Sequence, residues 1–374
     1  MTKLVAACLA LIALAACGGQ ATTPPPPTPA SSAPAATAGS STWSDVLAAA
    51  KKEGAVTVSG PPQDAERGVI MGFAQAFPDI KLQYYPLQEP EFIARAQSER
   101  AANTFTFDLT IGGAGSRYAY IQKGWFAPLQ SALVLPEVTD DANWLGGVDA
   151  GFLDIAKKYV FGFTSYVGND IKINRTTIPE TQLNSAAGLL DPQWKGKIVA
   201  FDPRQAGPGL LTFALLRKEM GDDAVRQLLS NQQLVFSTDK RQFTEWVVRA
   251  RYPIGLGVSD GYLAPFWDQG LGKDVKGLPT KLLHVTPGSG GLTLVDRGPH
   301  PNATKVFVNW LLSRDTQATW AKTVATNSRR TDVPPGSPET KPDQAHLSDY
   351  LHFNSEAGNP FQLDTQQFVR QILG

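Results

Sequence analysis

The sequence predicts an α/β protein in which mainly parallel sheets are flanked by helices and the chain divides into two lobes. Three observations predict it. Apolar strand-like runs alternate with amphipathic helical runs from residue 43 onward. About 330 residues follow the proline-rich stretch near the start, more than a single hydrophobic core usually serves. The only cysteines are Cys8 and Cys17, so the folded part is held by burial and not by disulfides.

The chain opens with Lys3 and an apolar run over residues 4–16. That is the layout of a secretory signal peptide, residues 1–16, and the run is shorter than the ~20 residues a membrane span needs. Leu14, Ala15, Ala16 and Cys17 resemble the lipobox of a bacterial lipoprotein. The resemblance implies cleavage before Cys17, a lipid on that cysteine and an extracytoplasmic, membrane-anchored location. Residues 17–42 are rich in Pro, Ala, Ser and Thr, with four consecutive prolines at 24–27. Lacking apolar periodicity, they read as an extended tether rising ~3.1 Å per residue in polyproline form.

The first lobe begins at Trp43. Trp43, Val46, Leu47 and Ala50 fall at helical spacing, with Ser41 or Thr42 as N-cap and Gly54 as stop. Strands at 55–59, 81–85 and 107–111 then alternate with helices at 65–77, 89–103 and 116–124. A second α/β unit follows, with strands at 159–166, 197–201, 234–236 and 254–258 and helices at 210–220 and 240–250. Two more strands, 282–285 and 292–295, precede helices at 302–312 and 315–324. Residues 334–342 form a proline-rich surface connection, and 361–373 a last docking helix.

Basic and acidic residues balance at 34 each, and no basic run occurs. That excludes nucleic acid and an anionic membrane surface as partners.

Several segments together resemble one family. They are the helix and strand of residues 43–58, Lys123-Gly124-Trp125-Phe126-Ala127-Pro128-Leu129, Asp191-Pro192-Gln193-Trp194-Lys195-Gly196-Lys197, Phe201-Asp202-Pro203-Arg204, and Pro299-His300-Pro301-Asn302-Ala303 leading to Asn309-Trp310-Leu311-Leu312-Ser313. The chain resembles the substrate-binding proteins of ABC importers, in the branch of ferric-ion and small-anion receptors. The resemblance implies a two-lobed periplasmic-binding-protein fold that closes on a ligand, with lobe one at 43–165 plus 294–313 and lobe two at 166–292 plus 314–374. It implies two passages between lobes, a permease and its ATPase as partners, a monomer, no cofactor and no bond chemistry.

Candidate ligand residues follow from loops at strand ends, where α/β proteins bind. Ser59, Gly60 and Gln63 lie after the first strand. Gly113, Ala114, Gly115 and Ser116 form a nest of amides at a helix start. Arg204 and Gly207 sit between a strand and a helix, where a guanidinium grips an oxyanion and glycine admits close approach. Tyr166 and Asn169 mark the first passage between lobes, and Ser259, Asp260 and Tyr262 follow a later strand. Since only Tyr262 stands in the loop where ferric receptors carry adjacent tyrosines, the expected cargo is an oxyanion-bearing solute: a phosphonate, organic phosphate or carboxylate. Ferric iron or a ferric chelate is the alternative. A different class also fits locally. Gly257-Val258-Ser259-Asp260-Gly261 matches G-x-S-x-G, with Asp268 or Asp296 and His300 or His346 to complete a hydrolase triad.

Overall fold

The computed structural model describes residues 42–168 and 170–374. The leader, Cys17 and the tether up to residue 41 lie outside them, as does Asn169. Among the described residues no helix is long and apolar enough to cross a membrane.

Helix α1 (Trp43–Glu53) starts on a capping box: Thr42 Oγ1 accepts from the Asp45 amide and Asp45 accepts from Thr42 N–H. Strand β1 (Ala55–Gly60), α2 (Asp64–Met71), α3 (Phe73–Ala76), β2 (Lys81–Pro86), α4 (Glu89–Ala101) and β3 (Leu109–Gly112) follow. The expected helix at 65–77 is therefore interrupted at Gly72. The one at 116–124 shrinks to α5 (Tyr118–Ile121), which leads to β4 (Phe126–Ala127), α6 (Pro136–Thr139) and β5 (Phe161–Gly162).

Strands β6 (Tyr166–Gly168) and β7 (Ile171–Asn174) carry the chain onward to β8 (Ile198–Phe201), α7 (Pro208–Met220), α8 (Asp222–Asn231) and β9 (Val235–Ser237). Then come α9 (Lys240–Val248), β10 (Ile254–Leu256), α10 (Asp260–Trp267) and β11 (Val275–Gly277). Strands β12 (His284–Thr286) and β13 (Gly291–Val295) precede α11 (Pro301–Leu312), α12 (Arg314–Val324) and the terminal α13 (Asn359–Leu373).

Two sheets organise these elements. The first runs β2-β1-β3-β13-β4, with β5 also on β13; the second runs β11-β7-β10-β8-β9. Each has three parallel strands, β2-β1-β3 and β10-β8-β9, extended by antiparallel additions through β13 or β7. A separate antiparallel pair, β6 and β12, lies where the chain passes between the sheets.

Each sheet has its own apolar core. Val56, Val58, Leu109, Ile111, Phe307 and Trp320 belong to the first. Ile171, Ile173, Ile198, Leu216, Leu256 and Val369 belong to the second. Residues 314–324, expected on the second lobe, lie instead against α2 and α11 of the first sheet's layer. The reason is Trp320, fully buried and edge-on to Phe163 at 4.9 Å. An indole buries too much area to be left outside a core. Helix α13 packs on α7 and α8, so the chain passes between the two layers a third time.

One buried cation ties the first layer together. Arg117 is fully buried; its Nε and Nη2 donate to Glu89 at 3.0 and 3.1 Å, and Nη1 donates to Gly291 O at 3.1 Å and Thr293 Oγ1 at 2.7 Å. It joins α4 to the central strand β13. Arg117→Met leaves the Glu89 carboxylate without its cation, and we expect a loss of roughly 3–5 kcal/mol in urea unfolding. A loss below ~1 kcal/mol would show that the pair is dispensable.

Candidate functional site

Ionisable side chains from both layers converge where β6, β12 and the first turns of α2, α9 and α10 meet. Glu66 of α2 is buried and accepts from Ser289 Oγ at 3.1 Å, in the loop between β12 and β13. From the other layer, Lys240 opens α9 and interacts electrostatically with Glu66 and Tyr262, its Nζ 5.2 Å from the Tyr262 ring centroid. Lys172 of β7 pairs with Asp260 at 2.7 Å, both largely buried. Asp170, buried at the end of the first passage, feels Lys172 and Asp260, and its Oδ2 has no partner. Tyr166 completes the group, within electrostatic reach of Asp170, Tyr262 and Asp260. Tyr84 of β2 borders it beside Glu66 and donates to Pro61 O.

Backbone fit holds these groups close. A Cβ on Gly60 would lie 2.7 Å from the Tyr84 hydroxyl, so β1 must end in glycine for the phenol to reach this seam. A Cβ on Gly209 would lie 1.9 Å from Phe201 O, which lets α7 start directly against β8.

Burial dominates the electrostatics. It raises the Glu66 carboxyl, with Ser289 and Lys240 opposing. It raises the Tyr262 phenol against the pull of Lys240, and lifts Tyr166 well above the ordinary phenol range with Asp170 adding to the effect. Tyr84 is also raised, first by burial and then by Glu66. Asp170 is pushed to about 6 by burial, Lys172 opposing and Asp260 adding. Lys240 moves the other way for a cation, held charged above all by Tyr262. A seam so lined is a place where a ligand's charge decides which protons stay.

Of the residues expected at the site, the structure brings Tyr166, Asp260 and Tyr262 together. Ser59 is the penultimate residue of β1, buried with an unpartnered hydroxyl, and Gln63 is the residue before α2. Others are engaged elsewhere. Ser116 donates to Glu89 at 3.0 Å. Ala114 is packed with Tyr118 and Val160, and Gly115 is covered by Asn359 and Gln362, which leaves Gly113 as the glycine of that loop with open space beside its Cα.

Arg204 is the clearest correction. Its Nε and Nη2 close on Asp202 at 3.0 and 2.7 Å, its Nη1 reaches Gly374 O at 3.4 Å, and its carbonyl accepts from Gln366 and Arg370. A guanidinium already matched by a carboxylate two residues away has no fork left for a ligand. Gly207 (φ 149°) turns the chain above the Phe201 ring. The hydrolase triad does not assemble. Ser259 opens α10 without a histidine partner, His300 Nδ1 is paired with Asp108 at 2.8 Å, and His346 with Asp349 at 2.9 Å. Asp296 is paired with Arg100 and Arg297, and Asp268 is exposed at the far end of α10.

Glu66, Asp170, Lys172, Lys240 and Ser289 were not singled out in the sequence. Two open surface grooves, one lined by Asp141, Trp144 and Gln344 and the other by Met71, Trp310 and Thr319, lie away from this cluster.

Residues 166–323 match the model of a family described as bacterial extracellular solute-binding protein. This stretch, under half of the chain, is similar to extracellular solute-binding proteins, and it spans the first two passages and the whole second sheet. No curated protein matches the sequence. Among solved structures, iron-bound HitA from Pseudomonas aeruginosa superposes with a TM-score of 0.66 at 17% identity, over 86% of this chain and 99% of that one. The Trichodesmium protein IdiA (FutA), in complex with iron and citrate ligands, gives 0.60 at 17% identity, over 86% and 99%. The substrate-binding protein of an ABC transporter from Agrobacterium tumefaciens gives 0.66 at 17% identity, over 85% and 93%. At these identities the likeness establishes the two-lobed fold. The matched family is one of solute-binding proteins.

The Asp170 carboxyl gives a pH signature. Its folded-state value of about 6 stands above the ordinary 3.8. The folded state therefore holds the proton more tightly, and the stability this contributes is present below the ordinary value and lost as pH rises through 6. Asp170→Asn should be more stable than the parent by roughly 1–3 kcal/mol near about pH 7.5 and no more stable near about pH 3.5. Equal urea midpoints for the two proteins at both pH values would contradict the assignment.

Proposed function

We propose that this solute-binding protein serves an ABC importer and captures ferric iron, as the ion or as a small chelate, in the seam between its two sheets. The observation that carries the reading is the convergence of the phenols of Tyr84, Tyr166 and Tyr262 with the carboxyls of Glu66, Asp170 and Asp260. Ferric iron is a hard cation and prefers such oxygen donors. Among the described residues no three His, Cys, Asp or Glu side chains gather to hold an ion by themselves. Phenol oxygens must therefore share in any shell, and Tyr262, which feels both Asp170 and Glu66 and lies within electrostatic reach of Tyr166, is its centre. Burial keeps these phenols protonated while the seam holds no ion; a trivalent charge reverses that preference. Lys240, between Glu66 and Tyr262, is the resident cation that an arriving ion displaces. Two of the structural neighbours described above carry iron.

The second reading is a small organic oxyanion, favoured by Lys172 and Lys240 in the same seam. Each lysine already faces a carboxylate, Asp260 or Glu66. An anion must therefore break a pair to bind, and Arg204 is not free to help. In either case delivery runs from lobe closure to a permease and its ATPase. Export, a lipid on Cys17 and a monomeric receptor at the outer membrane face complete the proposal, since a receptor so moored stays beside its permease.

Calorimetry with ferric citrate and ferric nitrilotriacetate tests the reading. Binding should be accompanied by a visible phenolate-to-iron absorption band. Tyr262→Phe should weaken and shift the band and weaken binding by more than the roughly 10–100-fold that loss of an outer-shell partner costs. Lys240→Met should bind iron at least as tightly as the parent. Heat on addition of organic phosphates or phosphonates, with none for either ferric chelate, would replace iron by the oxyanion reading.

A further inference from the structure

The third passage of the chain between its layers is built differently from the other two. β6 and β12 are short and pair with each other. The C-terminal segment joins them at Leu351, whose amide donates to Leu283 O at 2.9 Å and whose carbonyl accepts from Val285 N at 3.0 Å. The His284 ring lies beneath this junction, buried, with both nitrogens unpartnered. Phe353 covers it at 5.8 Å between ring centroids, and a Cβ on Gly168 would come within 2.2 Å of it. All three passages thus meet around one imidazole.

From that point the segment is fastened to both layers. Toward the first, Tyr118 Oη donates to Asn354 O, Glu356 N donates to Leu153 O at 2.8 Å, and Glu356 Oε2 accepts from Ile155 N at 2.8 Å. Asn359 and Gln362, at the start of α13, lie against Gly115 in the loop after β3. Toward the second, Asp364 pairs with Arg217 at 2.9 Å, Phe368 and Val369 enter the second core, and Gln366 and Arg370 hold the Arg204 carbonyl. Polar bonds fasten one end and core burial fastens the other. The weaker attachment is therefore the one to the first layer, because apolar core burial outweighs a few hydrogen bonds at a partly wet surface.

We propose that residues 351–362 are a strap across the two lobes, and that release of its contacts with Tyr118, Leu153 and Ile155 sets how far the lobes open. β6 and β12 alone leave hinge rotation unrestrained, whereas a strap fixed at both ends limits it until one end lets go. The inference does not depend on which solute is bound.

The test is a distance measurement by pulsed electron resonance on the full chain without ligand. Cys8 and Cys17 are replaced by serine, and spin labels are placed at Gln75→Cys on α3 and Ser230→Cys on α8. The parent should give one narrow distribution. Tyr118→Phe combined with Glu356→Ala should shift it to longer distances and broaden it, and Glu356→Ala alone, which removes the acceptor for Ile155 N–H, should do so to a smaller degree. Should the double variant not fold, the single variant carries the decision. Distributions that superpose on the parent's in variants that melt cooperatively would overturn the strap.

Discussion

Burying Glu66, Asp170 and Asp260 beside Lys172 and Lys240, with three phenols around them, is the constraint on which the rest of the structure depends. Charges in such a setting are tolerated only when matched: Lys240 answers Glu66 across the two layers, Ser289 donates to Glu66 from the loop before β13, and Lys172 pairs with Asp260 within the second layer. Every element that reaches the seam must therefore be placed closely. β1 ends in a glycine so that Tyr84 can approach, and β6 and β12 are short enough to bring Tyr166 and Ser289 to the same place. The two apolar cores supply the rigidity behind this arrangement. Arg117 and the Trp320–Phe163 contact stiffen the layer that carries Glu66.

This arrangement also explains why one ligand class is favoured over another. Three carboxyls, Glu66, Asp170 and Asp260, face two lysines, and Asp170 Oδ2 is unmatched, which leaves the site short of positive charge. A multiply charged hard cation meets that deficit, whereas an anion has to compete with Asp260 and Glu66 for their lysines. The guanidinium best suited to an anion is already satisfied by Asp202 and the Gly374 carbonyl.

Much of the fold was legible because its elements carry local signals. The Thr42–Asp45 capping box, Gly54 and the i, i+3, i+4 spacing around Val46 specify α1 with no tertiary information. Strands β8 and β10 are short apolar runs of the kind that buried strands show, and β1 sets Val56 and Val58 at alternate positions. By contrast β7 was missed because Lys172 and Asn174 interrupt it, and that is the strand that brings Lys172 to the site. Among the site residues, Tyr166, Asp260 and Tyr262 were legible as polar groups at strand ends. Glu66 was not, since an acid in a helix's first turn is ordinary helix chemistry. Lys240 follows an N-cap aspartate and looks equally ordinary until α2 of the other layer is placed opposite it. Arg204 misled for the converse reason: its partner Asp202 was in view, but only the folded loop shows the fork closed on it. The third passage lay hidden in residues 334–358, which lack periodicity and take their path from contacts with Tyr118, Leu153 and Thr286.

The central claim is that the seam between the sheets holds a ferric ion through phenol and carboxylate oxygens. Diffraction at the iron absorption edge, from crystals grown with ferric citrate, tests it most directly. The account predicts one anomalous peak among Tyr262, Tyr166 and Glu66, with the Lys240 ammonium displaced from between Glu66 and Tyr262. A seam without iron in such crystals, with Lys240 still seated and any iron bound elsewhere on the surface, would contradict it.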